Sequence, residues 1–484
     1  MKRIAPLMLV LLLSACASYS GIAPEAKKLD ASTLGTQEIK ADWPRTDWWR
    51  GFGDETLDHL IDQALINSPG IQEADARLHR AQAIAGYFDS ARYPQITANA
   101  DVTRERFSEN GLFPPPYAGT TNDINDLGLN ASWELDFFGR NSEALKAAIG
   151  ELRATEADHQ AARILIAADV ARNYYALARL QAQSEVIEAL NRQRAEQLAL
   201  TQQRVTAGID APGALDPLKT DVAENRRDTA AIDAQIAVMR HAIAALIGQG
   251  PDATANLQAT LPATGNVTMP DSLPLDLLGH RADIVAAKWR VESNLHGLES
   301  EKAQFYPNIN LLGFVGFSSI GTSGILTAAN RQPSLGLAVS LPIFDAGRLR
   351  SEYRGLAAQT DLAITSYNQT LLNALRDVAD QISTMQSLEQ QLQRQQAAVE
   401  SSQSALKLAQ QRYEAGITNR QPVLSAEANR LQQDRALIDL QARWTDGRIN
   451  LIRALGGGFT DNEQDNKAAI NSGNNEEKNG AQHG

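Results

Sequence analysis

The chain is written twice, and no other feature constrains its fold as tightly. Ala91-Arg92-Tyr93-Pro94-Gln95-Ile96 returns as Gln304-Phe305-Tyr306-Pro307-Asn308-Ile309, and Phe138-Gly139-Arg140 returns as Ala346-Gly347-Arg348. Gln203-Arg204-Val205-Thr206-Ala207-Gly208-Ile209 returns as Gln411-Arg412-Tyr413-Glu414-Ala415-Gly416-Ile417, and Ala245-Leu246-Ile247-Gly248 as Ala454-Leu455-Gly456-Gly457. The offsets are 213, 208, 208 and 209, so the landmarks keep their order and almost their spacing. Such a period far exceeds the roughly 20–50 residues of solenoid repeats and marks a duplicated half-molecule.

Each half reads as helix, strand, loop, strand, long helix, tight turn and helix. The first repeat covers 55–248, with strands at about 94–107 and 125–138, a long helix at 139–207 and a helix at 213–248. The second covers 275–457, with strands at about 307–317 and 333–345, a long helix at 347–415 and a helix at 422–456. A linker rich in Gly, Pro, Ala, Thr and Asn at 249–274 joins them. The tail, 458–484, is dominated by Asn, Glu, Gly and Lys and buries too little apolar area to order alone.

The strands alternate. Ile96, Ala98, Ala100 and Val102 interleave with Thr97, Asn99, Asp101 and Thr103. Leu127, Leu129, Ala131, Trp133, Leu135 and Phe137 interleave with Gly128, Asn130, Ser132, Glu134 and Asp136. Runs of about 10 residues with one lipid-like and one water-like face suit a tilted membrane strand. A half-buried soluble sheet would alternate in the same way. Past the N-terminus no run of 18 apolar residues occurs, so any membrane crossing would need a closed β-barrel. One chain's four strands fall short of the roughly eight that close a barrel, so two or three copies would have to pool theirs.

The long helices carry the second periodicity. Ile364, Leu371, Val378, Met385, Leu392, Val399, Leu406 and Tyr413 stand seven apart without a break, which imposes a left-handed supercoil against a neighbour. A single coiled-coil dimer would show the same stripe. Residues 213–248 and 275–305 hold 36 and 31 residues, which stacked end to end would match one long helix.

At the N-terminus, Met1-Lys2-Arg3 precedes the apolar run Ile4 to Leu13, and Leu13-Ser14-Ala15 precedes Cys16, the only cysteine. The run is too short to span a bilayer and has the layout of a secretory signal, here 1–15. The junction resembles the lipobox of bacterial lipoproteins, in which the cysteine sulfur takes diacylglycerol and its freed amine a further acyl chain such as palmitate. Residues 16–54 are then a lipidated, extended N-terminal segment. With Cys16 used, no disulfide can form. A net charge of -12 argues against a nucleic-acid partner.

These features together resemble the outer-membrane factor family of tripartite efflux and secretion systems (TolC/OprM-like), specifically its NodT-like lipoprotein branch. The resemblance covers about 42 to 457 and rests on the lipobox, Trp48-Trp49 to Leu57, the Tyr-Pro strand starts and Phe344-Asp345-Ala346-Gly347-Arg348. It also rests on Arg281-Ala282-Asp283-Ile284 and the Arg-x-x-x-Gly turns at 204–208 and 412–416. It implies an α+β membrane protein: a four-stranded share of a trimeric twelve-stranded outer-membrane barrel above a long periplasmic coiled-coil α-barrel. The implied function is passage, an exit duct for small toxic compounds delivered by an inner-membrane pump through a periplasmic adaptor, or membrane fusion protein. The implied location is the outer membrane, lipid-anchored and spanning, extending into the periplasm. Type I protein secretion, and a pore-free adaptor lipoprotein, are the alternatives.

The family keeps its periplasmic entrance shut with contacts between helical tips and an acidic ring. This chain has Pro422 and Ser425 where aspartates often stand, and Ala211-Pro212-Gly213 alters the first turn. The ring is therefore not carried over; Arg204, Asp210, Asp216, Tyr413 and Arg420 are the gate candidates. Thr97, Asn99, Asp101, Asn130, Glu134 and Asp136 are the lumen-facing strand candidates, a wall expected to favour cations. Glu134 and Asp136 could also be read as a glycosidase carboxylate pair, but no nucleophile–base constellation accompanies them. The seven histidines are scattered without a zinc spacing, and Gly313-Phe314-Val315-Gly316 lacks the Lys-Ser/Thr of a phosphate loop. No enzyme, metal or cofactor is expected beyond the lipid on Cys16.

Overall fold

A computed structural model describes residues 18–30, 33–34, 43–263, 277–321 and 324–461. The expected signal peptide, Cys16, the linker from 264 to 274 and the tail beyond 461 lie outside the described residues. The chain divides into two compact units. The first holds Met1–Lys28, Arg77–Glu156 and Ala286–Asn368; the second holds Leu29–Ala76, Ala157–Val285 and Gln369–Gly484.

The first unit contains the sheet. Strands β1 (Gln95–Arg106), β2 (Thr121–Glu134), β3 (Asn308–Ile320) and β4 (Ser334–Ser340) form it in that order, every neighbouring pair antiparallel. Main-chain bonds between β2 and β3 join the two repeats, with Leu129 opposite Val315 and Asn130 opposite Phe314. Three strands differ in their limits from the sequence expectation. β2 starts earlier and ends at Glu134, because Leu135 and beyond bend toward the next helix. β3 runs on to Ile320. β4 stops at Ser340 although the apolar alternation continues through Leu341 and Ile343. Pro342 has no N–H for the ladder, which is where pairing ends.

Two 67-residue helices follow the strand pairs, α3 (Arg140–Thr206) and α6 (Arg348–Glu414). At about 1.5 Å per residue each is roughly 100 Å long. In the first unit, α3 meets α5 (Ala282–Ala303) closely enough that a Cβ on Gly150 would lie 3.0 Å from Ser293. Ser293 Oγ donates to the Ala147 carbonyl at 2.7 Å, and His296 Nδ1 lies 2.6 Å from Glu143.

The second unit packs α1 (Glu55–Asn67) with parts of α3, α4 (Leu215–Leu246), α6 and α7 (Gln421–Ala454). Leu57, Ile61, Tyr174, Leu177, Ile243 and Ile449 form its core. Asp54 starts α1: its Oδ1 accepts from Thr56 and Leu57 N–H, and its Oδ2 from the Tyr174 hydroxyl at 2.7 Å. The helix expected ahead of the first strand is broken after α1. Ser68 is extended because Pro69, the first residue of α2 (Pro69–Ser90), disfavours a helical predecessor. Likewise α4 and α5 hold 32 and 22 residues, fewer than expected. A 3-10 turn at Pro212–Ala214 precedes α4, and Arg281 separates α5 from a single turn at Leu277–His280.

The heptad stripe of α6 shows how far one chain can satisfy itself. Ile364, Leu371, Val378, Met385 and Leu392 are buried, but Val399 and Leu406 are only half-buried and Tyr413 is exposed. The stripe therefore loses its cover within the chain over its last turns.

Candidate functional site

Strand register sorts the side chains onto two faces, because directly opposed residues point the same way. One face carries Ile96, Ala98 and Ala100 with Leu129, Val315, Phe317, Leu335 and Leu337. Val102 is 76% and Leu335 79% exposed, so this apolar face has no protein covering it within the chain. Trp133 marks its lower border, its Nε1 donating to the Arg92 carbonyl at 2.9 Å. Such an amphipathic ring at the edge of an apolar band belongs at a membrane interface.

The other face is polar. Thr97 stands opposite Asn130, and Asp101 opposite Asp126. Asn130 Nδ2 donates to Asn99 Oδ1 at 2.7 Å, and Asn99 Nδ2 to Asp101 Oδ2 at 3.0 Å, an amide-to-carboxylate chain along the strands. Glu134 lies at the strand end, 3.8 Å from Arg140. Asp136 does not belong to the strand wall: it lies beyond β2 and accepts from Asn141 and Ser142 N–H at 3.0 and 2.7 Å, capping α3. Free N–H groups at a helix start attract a carboxylate, which draws it from the alternation. Phe314 interrupts the polar face. Its ring lies over Gly128 and Gly316, where an added Cβ would overlap it. Sequence reading missed it because an aromatic on the polar parity looks like irregularity.

The helical tips repeat one geometry. The Ile209 N–H donates to the Arg204 carbonyl at 2.8 Å, and the Ile417 N–H to the Arg412 carbonyl at 2.9 Å. Gly208 and Gly416 sit between them at φ +69° and +70°, where a side chain would be strained. The side-chain contacts differ between the turns. Arg204 grips Asp210 with two bonds of 2.7 and 2.8 Å, which hold the Asp210 carboxyl below its ordinary range. Arg420 instead reaches across 224 positions to Glu196 at 2.8 and 3.2 Å, and its guanidinium lies 5.7 Å from the Tyr413 ring. That hydrogen bond lowers the Glu196 pKa. Beneath them Gln193 Nε2 donates to the buried Leu424 carbonyl at 2.9 Å. Asp216 stands apart, 3.6 Å from Lys219 on its own helix. Sequence reading missed Glu196 and Gln193, two polar residues within a long polar helix that give no local signal.

The residues that define the sheet and tips also fall inside a known family pattern. The model of the outer membrane efflux protein family matches residues 60–249 and 273–457, one segment per repeat. The chain belongs to that family. The putative multidrug resistance outer membrane protein MdtQ of Shigella flexneri is 31% identical over 470 residues, covering 94% of this chain and 98% of the relative. The crystal structure of the outer membrane protein VceC from Vibrio cholerae is 34% identical. It superposes with a TM-score of 0.79 over 86% of this chain and all of VceC. The outer-membrane channel OprN is 29% identical with a TM-score of 0.78, over 91% of this chain and 97% of OprN. This chain is thus an outer membrane efflux protein with the fold of solved outer-membrane channels, a family of transport proteins. Among its described residues no helix is long and apolar enough to cross a membrane.

Proposed function

We propose that three copies of the chain pool their sheets into a twelve-stranded barrel that is the exit duct of a tripartite efflux system. An inner-membrane pump and a periplasmic adaptor would deliver small toxic compounds to it. The observation that carries this reading is the unclosed sheet: β1 and β4 are its two edges, and one face carries an apolar band that nothing in the chain covers. Unpaired backbone cannot face hydrocarbon, so the edges must meet other strands. The uncovered stripe at Val399 and Leu406 supports the same assembly along the helices. The multidrug-resistance descriptions of the relatives favour small molecules over a secreted protein.

In this reading the face of Thr97, Asn99, Asp101 and Asn130 lines the lumen, with Glu134 at its mouth. Arg204–Asp210 stiffens one tip, while Arg420, Tyr413 and Glu196 form the movable part of the gate. Asp216 contributes no latch contact. Cys16, lipidated, would anchor the chain to the outer membrane. Averaged electron-microscope images of the detergent-extracted protein test the assembly: a threefold hollow particle is expected, and a dimeric or solid particle would overturn it.

A further inference from the structure

We propose that Phe314 is a specificity-determining residue of the duct, a ring on which planar aromatic cations stack as they pass. The inference rests on the duct reading and deepens it. Strand register sets Phe314 on the polar face, in one row with Thr97, Asn130 and Ser334. The next row is Asn99, Gly128 and Gly316, so two of its three positions carry no side chain. The Phe314 ring fills that gap: a Cβ added to either glycine would stand 2.6 Å from its Cζ. Glycine inside a strand weakens it and marks where another group comes close; here that group is the ring. Phe314 is only half-buried. With one ring face seated on the glycines, the surface it keeps is on the side away from the sheet. Leu312, on the same face one row back, is 45% exposed and adds an apolar shoulder.

The chemistry of the passing solute follows from the ring and its neighbours. An aromatic face is negative, so it attracts cations and stacks other rings. Charge on this face of the sheet has one sign. Asp101 stands opposite Asp126 in the row beyond the glycines, Glu134 lies toward the other end, and no Lys or Arg shares their parity in any of the four strands. A flat cation lying on the ring above the glycine row would stand one row, about 6.8 Å, from the Asp101 and Asp126 positions. A non-aromatic cation would lose the stacking, and an aromatic anion would meet the carboxylates. Three copies would place three such rings at one height in the lumen. A ring that only covered the glycines would matter to stability and not to the choice of solute.

The test uses the full-length protein in detergent, in the preparation imaged for its symmetry. Saturation-transfer NMR compares N-methylpyridinium, tetramethylammonium and benzenesulfonate at constant ionic strength. N-methylpyridinium should bind saturably and several-fold more tightly than the other two. Phe314→Leu keeps an apolar side chain on the glycines and should weaken N-methylpyridinium about fivefold, with tetramethylammonium unchanged. Phe314→Trp enlarges the ring face and should tighten N-methylpyridinium alone, which keeps the test decisive if the leucine variant fails to assemble. Equal binding of the two cations by the wild type would overturn the inference. So would either variant leaving their ratio unchanged, even with a lowered thermal midpoint, because the ring would then be a cover for the glycines only. A hollow threefold particle with no such preference overturns this inference alone; a dimeric or solid particle overturns the duct and this inference with it.

Discussion

Leu129 and Asn130 are consecutive on β2, yet strand pairing places them on opposite faces, opposite Val315 and Phe314 respectively. Arginine at each position therefore separates a lipid face from a lumen face with a single-residue step. On the apolar face, rows run from Leu127 opposite Phe317 down to Leu135, whose N–H donates to Ile309. With rows about 6.8 Å apart along the strand and a tilt of about 40°, each row descends roughly 5 Å. Leu129 then lies about 5 Å from the middle of the band, where an arginine costs about 2–4 kcal/mol per chain. Taking the lower end, about 2 kcal/mol is roughly a 30-fold loss in the folding equilibrium for each chain. Asn130→Arg loses its bond to Asn99 on a hydrated face, a loss of about 0.5–1.5 kcal/mol. The assay is urea unfolding of protein reconstituted in vesicles, followed by tryptophan fluorescence. Leu129→Arg should lower the midpoint more than Asn130→Arg, and Asn130→Arg should shift ion selectivity toward anions. Equal destabilisation by the two variants would refute the division of faces.

Three further outcomes follow from the contacts. Tyr413→Ala combined with Arg420→Ser, or Glu196→Gln alone, should raise single-channel conductance, whereas Asp216→Asn should leave it unchanged; bilayer recordings decide. Asp210 and Glu196 have lowered pKa values, so their contacts gain stability that is complete above the ordinary carboxylate range of about 4. That stability is lost as pH falls through the lower folded values, so conductance should stay at its resting level near pH 5 and rise only below about 4. Tyr174→Phe removes a buried hydrogen bond to the Asp54 carboxylate and should cost about 1.5–3 kcal/mol, read by denaturant unfolding. Conductance of that variant should not change.

Much of this fold was legible because its signals are local and periodic. The step of two that separates Thr97 from Asn99 needs no tertiary information, and neither does the step of seven from Ile364 to Leu392. The gate candidates were legible in kind but not in pairing. Arg204 and Asp210 are six apart and close a turn, which spacing alone allows. Arg420 finds Glu196 only because the chain folds back on itself over 224 positions. Asp136 shows the opposite failure, since a perfect alternation continued past the point where the backbone left the strand.

Sequence alone determined the duplication, the two-faced strands, the unbroken long helices and the need for more strands than one chain owns. Each follows from side-chain periodicity and from backbone groups that must be paired. Tertiary structure decided which strands are neighbours, joining β2 to β3 across the repeats, and that Arg420 meets Glu196. Pairings of that kind depend on distance in space, and a chain's order fixes that distance only where the contacting residues are near in sequence.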